Sequence, residues 1–203
     1  MMTDACSYPH IKKYEPFLLK YIPRSGKLFI DVGANIGTYS RDLAVTFKRG
    51  IAIEPDPRNL TVLKELGLEN VEILPLAASD SRGILEFHQY EDTARTTIYE
   101  QVVEPVGQIQ VECAPLDSLV EEAPDFIKVD TEGCELSVLM GAEKLLKACP
   151  YWIVECHDFD EDGDQVYSIL SNHGFSIAIE GYPLQSRIQL GDWETPTWLI
   201  AWK

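Results

Sequence analysis

Short apolar runs, most of them closed by a polar or acidic residue, alternate along this chain with stretches of helical spacing. Residues 28–31, 51–54, 71–76, 125–130 and 151–155 read as strands of a parallel sheet, where covered faces leave apolar residues nearly continuous. Residues 84–88 and 108–113 alternate instead, which marks half-exposed strands. Residues 175–180 and 197–202 finish the pattern as an antiparallel pair. Helical spacing runs from Thr38 through Tyr39, Leu43, Ala44 and Phe47, over 57–66 up to a closing Gly67, and as one long amphipathic stretch over 134–148. A short helical turn fits 116–120, and a helix fits 165–172 up to Gly174. Residues 11–22 also read as a helix, one that Pro16 starts or kinks. Strands alternating with helices place the chain in the α/β class.

Among these elements, the passage from the first strand into its helix carries the clearest chemistry. Leu28, Phe29 and Ile30 end at Asp31, and the loop that follows reads Gly33-Ala34-Asn35-Ile36-Gly37. Glycines there permit positive φ and let backbone lie against a ligand. Glu54 ends the second strand 21 residues after Gly33, the place of an acid that holds a ribose. A dinucleotide site asks for a third glycine and an open helix end for pyrophosphate. Here Asp31 would repel a diphosphate, and it suits a cationic ligand with an amino group and a sulfonium.

At these residues the chain resembles the S-adenosylmethionine-dependent methyltransferases of Rossmann-like, class I fold, and Asn35 between the glycines resembles the FkbM type. A second stretch carries the same resemblance: Ile127-Lys128-Val129-Asp130, Glu132-Gly133, Glu135, Val138-Leu139 and Gly141-Ala142, with Glu155 and His157 beyond. The resemblance implies a mostly parallel seven-stranded sheet with an antiparallel last strand, helices on both faces and a hairpin-like insertion after the third strand. It also implies methyl transfer from S-adenosylmethionine, commonly to a hydroxyl of a sugar or secondary metabolite. Two other classes stay open: a nicotinamide-dependent oxidoreductase, and a binding module without turnover.

Cofactor contacts are expected from Asp31, Gly33, Asn35, Gly37, Glu54 and Asp130. Ala78 and Ser79 are small enough for a flat adenine to approach, with Asp80 accepting from its amino group. Residues 80–83 read equally as a type I turn. Asp130, Glu155 and His157 gather at the tips of neighbouring strands, about 4.8 Å apart. Lys128 shares a face with Asp130, and an ion pair between them is one reading of that corner. Another is a divalent ion, Mg²⁺ or Mn²⁺, held by Asp130, Glu155 and His157. Without a metal, His157 is the expected base, because its ordinary pKa lies near neutrality. The polar segment 89–107, with Thr93, Arg95, Thr96 and Thr97, is expected to overhang the acceptor pocket or else to be a mobile surface loop.

Composition sets the frame. The 203 residues, 45% hydrophobic and 25% charged, suit one soluble α/β domain, read as 1–203 with a helical flank at 1–24 and inserted strands at 84–114. A net charge of −16 disfavours nucleic acid and anionic membranes as partners; the resemblance implies a small-molecule acceptor, with a homo-oligomer left open. Cys6, Cys113, Cys134, Cys149 and Cys156 lack paired spacing. That pattern, with no apolar run of membrane-spanning length, points to the cytoplasm.

Overall fold

The computed structural model describes residues 8–91, 105–157, 163–180 and 197–203. Thr93, Arg95, Thr96, Thr97 and Cys6 lie outside the described residues. In chain order the first elements are α1 (Pro9–Tyr14), a 3-10 turn (Pro16–Lys20), β1 (Gly26–Val32), α2 (Thr38–Ala44), β2 (Phe47–Ile53), α3 (Pro57–Glu65) and β3 (Val71–Leu74). Next come β4 (Ala77–Ser79), β5 (Gly83–Gln89), β6 (Gly107–Pro115), α4 (Leu116–Leu119) and β7 (Phe126–Val129). The chain closes with α5 (Glu135–Met140), α6 (Glu143–Ala148), β8 (Tyr151–Cys156), α7 (Asp164–Asn172), β9 (Ser176–Glu180) and β10 (Thr197–Trp202).

Seven strands form one sheet in the order β3-β2-β1-β7-β8-β10-β9. β1 lies between β2 and β7, parallel to both, and residues 28–32 are at most 2% exposed. That double coverage is why its sequence is nearly all apolar. Its side chains alternate between two cores: Leu28, Ile30 and Val32 enter one, and Phe29 enters the other with α1, α2 and Phe126. β10 is antiparallel to both neighbours. The expected insertion is a separate sheet, β4-β6-β5, whose Phe87, Val111 and Cys113 pack with Ala77 and Cys134. Among the described residues no helix is long and apolar enough to cross a membrane, and Cys113, Cys134, Cys149 and Cys156 are buried.

Three expected boundaries move, each for a local reason. Phe47 begins β2 instead of ending α2, and its ring packs edge-on against Phe29 at 5.5 Å between centroids. The long helix expected over 134–148 is two, α5 and α6. The break falls at Gly141, where a Cβ would stand 1.9 Å from the Ser79 carbonyl oxygen, so glycine is what lets the inserted sheet's backbone pack against it. Asp117 then restarts the helix, accepting from Lys144 N at 2.7 Å and Leu145 N at 3.0 Å. Pro16 divides the N-terminal helix into α1 and the 3-10 turn. That flank is tied to α2: the buried Asp42 carboxylate caps α1 by accepting from His10 N (2.8 Å) and Ile11 N (3.2 Å).

Candidate active site

The β1–α2 loop turns in the left-handed region at Gly33 (φ 76), Asn35 (φ 52) and Gly37 (φ 82). A Cβ on Gly33 would stand 1.7 Å from the Asp130 carbonyl oxygen, so only glycine lets the end of β1 abut the end of β7. The amides of Gly33 and Ala34 donate to the Ile53 carbonyl at 2.9 and 3.0 Å. Asn35 N donates to Glu54 Oε2 at 2.8 Å. Loop and acid, read separately in the sequence, are one hydrogen-bonded unit. Glu54 Oε1 also accepts from Asp56 N (2.8 Å) and Asn59 Nδ2 (3.3 Å). Burial pushes the Glu54 carboxyl up, against the amides of Asp56 and Asn35, which favour its ionised form.

A cleft opens over these strand ends. Gly33, Asn35, Glu54, Ala78 and Asp130, all expected ligand contacts, line it. Asp31, Gly37, Ser79 and Asp80 are not part of its wall. Asp31 is wholly buried, accepting from Ser40 Oγ at 2.7 Å, with Oδ1 3.8 Å from Lys128 Nζ. It lies one residue before the strand end and points into the sheet's own layer of charges. Gly37 shapes the start of α2. Ser79 is buried in β4, and the exposed Asp80 accepts from Ser79 Oγ (3.4 Å) and Ser81 Oγ (2.9 Å).

At the tips of β7 and β8 the structure brings Lys128, Asp130, Glu155 and His157 together. Lys128 Nζ donates to Asp130 Oδ2 at 2.8 Å and stands 4.3 Å from the centre of the Tyr39 ring. Burial pulls the Lys128 pKa down, but the charges of Asp130 and Asp31 outweigh it and the net shift is upward. Lys128 is a fixed cation, so it does not serve as a base. Burial raises Asp130, yet Lys128 and His157 hold its carboxyl below the ordinary range. Glu155 is pushed up to about 9, by burial first and by the Asp130 charge second. His157 Nδ1 lies 3.0 Å from Glu135 Oε1, and Nε2 lies 3.4 Å from Glu132 Oε1 and 3.7 Å from Asp130 Oδ1.

Burial lowers the His157 pKa, but the bonds to Glu132 and Glu135 prevail and lift it to about 12. Three carboxylates around the imidazole favour its protonated form, which weighs against a base role for His157. Asp130 is the member of the group left ionised and partly exposed.

The Methyltransferase FkbM domain matches residues 31–177, from Asp31 through both loops to β9. The chain belongs to the FkbM methyltransferase family. It is 33% identical over 156 residues to the hexuronic acid methyltransferase AglP of Haloferax volcanii, covering 73% of this chain. The match spans 63% of that relative, so less than two thirds of its length. Methyltransferase 1 of Beauveria bassiana is 23% identical over 187 residues, with 74% of this chain and 73% of that protein covered. The FkbM methyltransferase of Methylobacillus flagellatus superposes with a TM-score of 0.63 at 19% identity, over 96% of this chain and 50% of that one. Aeropyrum pernix fibrillarin, solved with natively bound S-adenosyl-L-methionine, gives 0.56 at 13% identity, over 96% and 75%. These two likenesses establish the class I methyltransferase fold.

In this member of the FkbM family, the sequence did not reveal the role of Glu135. In the sequence the acid stood only as one position of the FkbM-like stretch, with no role attached. Its Oε1 accepts from Thr131 N (3.0 Å) and Gly133 N (3.1 Å) as well as facing His157. It thereby holds the β7–α5 loop, where Glu132 (φ 54) and Gly133 (φ 107) are left-handed. Phe87 and Cys134, which also line the cleft, carried no sequence signal because their place depends on how the inserted sheet folds back.

Proposed function

We propose that this FkbM methyltransferase moves the methyl group of S-adenosylmethionine to a hydroxyl of a small molecule such as a sugar. The observation that carries the reading is the Asn35–Glu54 hydrogen bond, which builds the glycine loop and the acid into one wall of a cleft that Asp130 also lines. The residues fit the cofactor chemically. Glu54 Oε2 accepts one protein N–H and keeps a lone pair for a ribose hydroxyl. Leu76, Ala77, Ala78 and Phe87 offer an apolar strip to adenine. Asp130 and Glu132 set negative charge beside the place for an ammonium and a sulfonium. The relative named for hexuronic acid methylation supports a sugar-like acceptor, and the net charge of −16 supports a soluble acceptor over nucleic acid or membrane. The cytoplasm remains the compartment the cysteine pattern favours.

When bound, S-adenosylmethionine supplies an electrophilic methyl on a positively charged sulfur. The protein's work is then positioning. Asp130, ionised and held by Lys128, is placed to polarise the acceptor hydroxyl and receive its proton. His157 as imidazolium and Glu155 as acid supply hydrogen-bond donors around it. Calorimetry tests the reading: wild type binds S-adenosylmethionine and S-adenosylhomocysteine but not NAD. Glu54→Ala weakens cofactor binding by about 1.5–3 kcal/mol, the range for a charged hydrogen bond. Unchanged affinity in a folded variant would sink the assignment. Labelled methyl appearing on members of a hexose and hexuronic acid panel excludes a binding module without turnover.

One observation favours a second reading of the same corner. Asp130, Glu155 and His157 each offer a ligand atom, and these atoms all lie within 4.8 Å of one another. Glu135 orients the imidazole through Nδ1, as carboxylates do behind histidine ligands. These three residues would hold Mg²⁺ or Mn²⁺, which would lower the pKa of an acceptor hydroxyl. Methyl transfer that is abolished in chelator and restored by either ion establishes the metal. Full activity in chelator removes it.

A further inference from the structure

The N-terminal flank precedes the family-matched residues 31–177, yet it reaches the charged corner. On the sheet face that α1 and α2 cover, the strands present apolar residues low down and charged ones at their tips: Phe29 then Asp31, Phe126 then Lys128 and Asp130, Ile153 then Glu155. Strand alternation requires each of these sets to share one face. Ile11 and Leu18 of the flank are fully buried over the apolar part. Glu15 lies between them in the chain, at the break before Pro16 where the backbone leaves α1 with φ −133 and ψ 52. Its Oε2 accepts from the Tyr39 hydroxyl. The Tyr39 ring lies under Lys128 Nζ at 4.3 Å, and Lys128 in turn donates to Asp130 at 2.8 Å.

We infer that Glu15 is a positioning residue for the proposed methyl transfer: through Tyr39 it fixes Lys128 and so holds Asp130 toward the acceptor. The inference rests on the reading of Asp130 as the group that faces the acceptor hydroxyl. Its physical basis is a chain of directional contacts. A ring beneath a desolvated ammonium is attractive only while the ring face stays under it, and a Tyr ring on α2 can swing about its side-chain torsions. The bond from the hydroxyl to Glu15 removes that freedom. Burial and the Glu15 charge both favour the un-ionised phenol, so Tyr39 keeps the proton it donates. The Asp42 cap on α1 and the contact of Tyr8 Oη with Thr46 Oγ1 at 2.9 Å keep Glu15 itself in place. The flank thus acts as a brace for the acceptor side of the site, separate from the cofactor cleft, whose wall includes neither Glu15 nor Tyr39.

Heteronuclear NMR on the full chain gives a readout that simple destabilisation would not produce. The ε-methylene signal of Lys128, assigned by its loss in Lys128→Met, is expected upfield in wild type because of the Tyr39 ring current. Glu15→Ala is expected to lose most of that upfield shift, and Glu15→Gln, whose amide oxygen still accepts from Tyr39, to keep it. In methyl transfer from S-adenosylmethionine to the hexose or hexuronic acid that the panel shows turned over, Glu15→Ala lowers kcat about tenfold and Glu15→Gln restores it. KM for S-adenosylmethionine stays within about twofold in both variants. A Lys128 signal unmoved in Glu15→Ala overturns the inference, and so does a moved signal with unchanged kcat. Failure of wild type to bind S-adenosylmethionine in calorimetry overturns the underlying functional reading instead, and leaves the NMR result as the separate test of the brace.

Discussion

Lys128→Met is expected to cost about 3–5 kcal/mol of folding stability near neutral pH, the usual penalty for breaking a buried ion pair from one side. The lysine is 2% exposed and serves two carboxylates, Asp130 at 2.8 Å and Asp31 at 3.8 Å. Asp31 has little else to rely on: its Oδ1 has no hydrogen-bond partner among the described residues, and only Ser40 reaches the other oxygen. Burial already raises the Asp31 pKa against the opposing charge of Lys128. With that cation gone, both folded-state carboxyls titrate above their unfolded values. The folded state then binds more protons than the unfolded chain in mildly acid solution, so stability falls as pH rises through that range. The defect should therefore be smaller near pH 5 than near pH 7, as measured by urea unfolding at each pH. A loss below about 1 kcal/mol at both pH values would show that the carboxylates find other partners and that Lys128 is dispensable.

That lysine shows how far the sequence could be read. A lysine inside an apolar strand, two residues before an acid, is improbable unless paired, and alternation puts both on one face. The pair was legible because strand geometry alone decides it. Glu54 was legible for a similar reason, since a Gly-rich turn and a spaced acid are properties of one βαβ unit. The contact of Asp31 with Lys128 was hidden because that partner arrives from β7, a strand some 95 residues later. The break at Gly141 was hidden likewise: residues 134–148 carry helical spacing, and the Ser79 carbonyl that packs against Gly141 comes from the inserted sheet. His157 lies where it was expected, beside Asp130 and Glu155. Its position follows from the end of β8, but its proton affinity follows from Glu132 and Glu135, which arrive on the β7–α5 loop.

The same proton affinity makes the fold's stability depend on pH in an unusual window. Between about pH 6.5 and about 9 the protein is expected to lose stability as pH rises, with a slope approaching two protons. His157 moves from an ordinary 6.5 up to about 12 in the folded state, and Glu155 from 4.5 up to about 9. Both are raised, so both contribute stability that is complete below their unfolded values and is lost as pH climbs toward the folded ones. Inside the window the unfolded chain has released both protons and the folded chain retains them. Each retained proton lowers unfolding free energy by about 1.4 kcal/mol per pH unit, so two give an upper bound of about 2.7. Asp130, shifted downward, acts only in acid, while Lys128 and the buried thiols of Cys134 and Cys149, all shifted upward from ordinary values of 9.0 or more, act only above the window. Any residual contribution from Asp31 or Glu54, both raised, has the same sign. Glu155→Gln removes one of the two titrations while keeping a neutral hydrogen-bonding side chain, and should bring the slope to about one proton. Chemical unfolding at closely spaced pH values in both proteins measures the two slopes directly. A flat wild-type profile would mean that the folded corner has already given up both protons, leaving His157 neutral and free to act as the base.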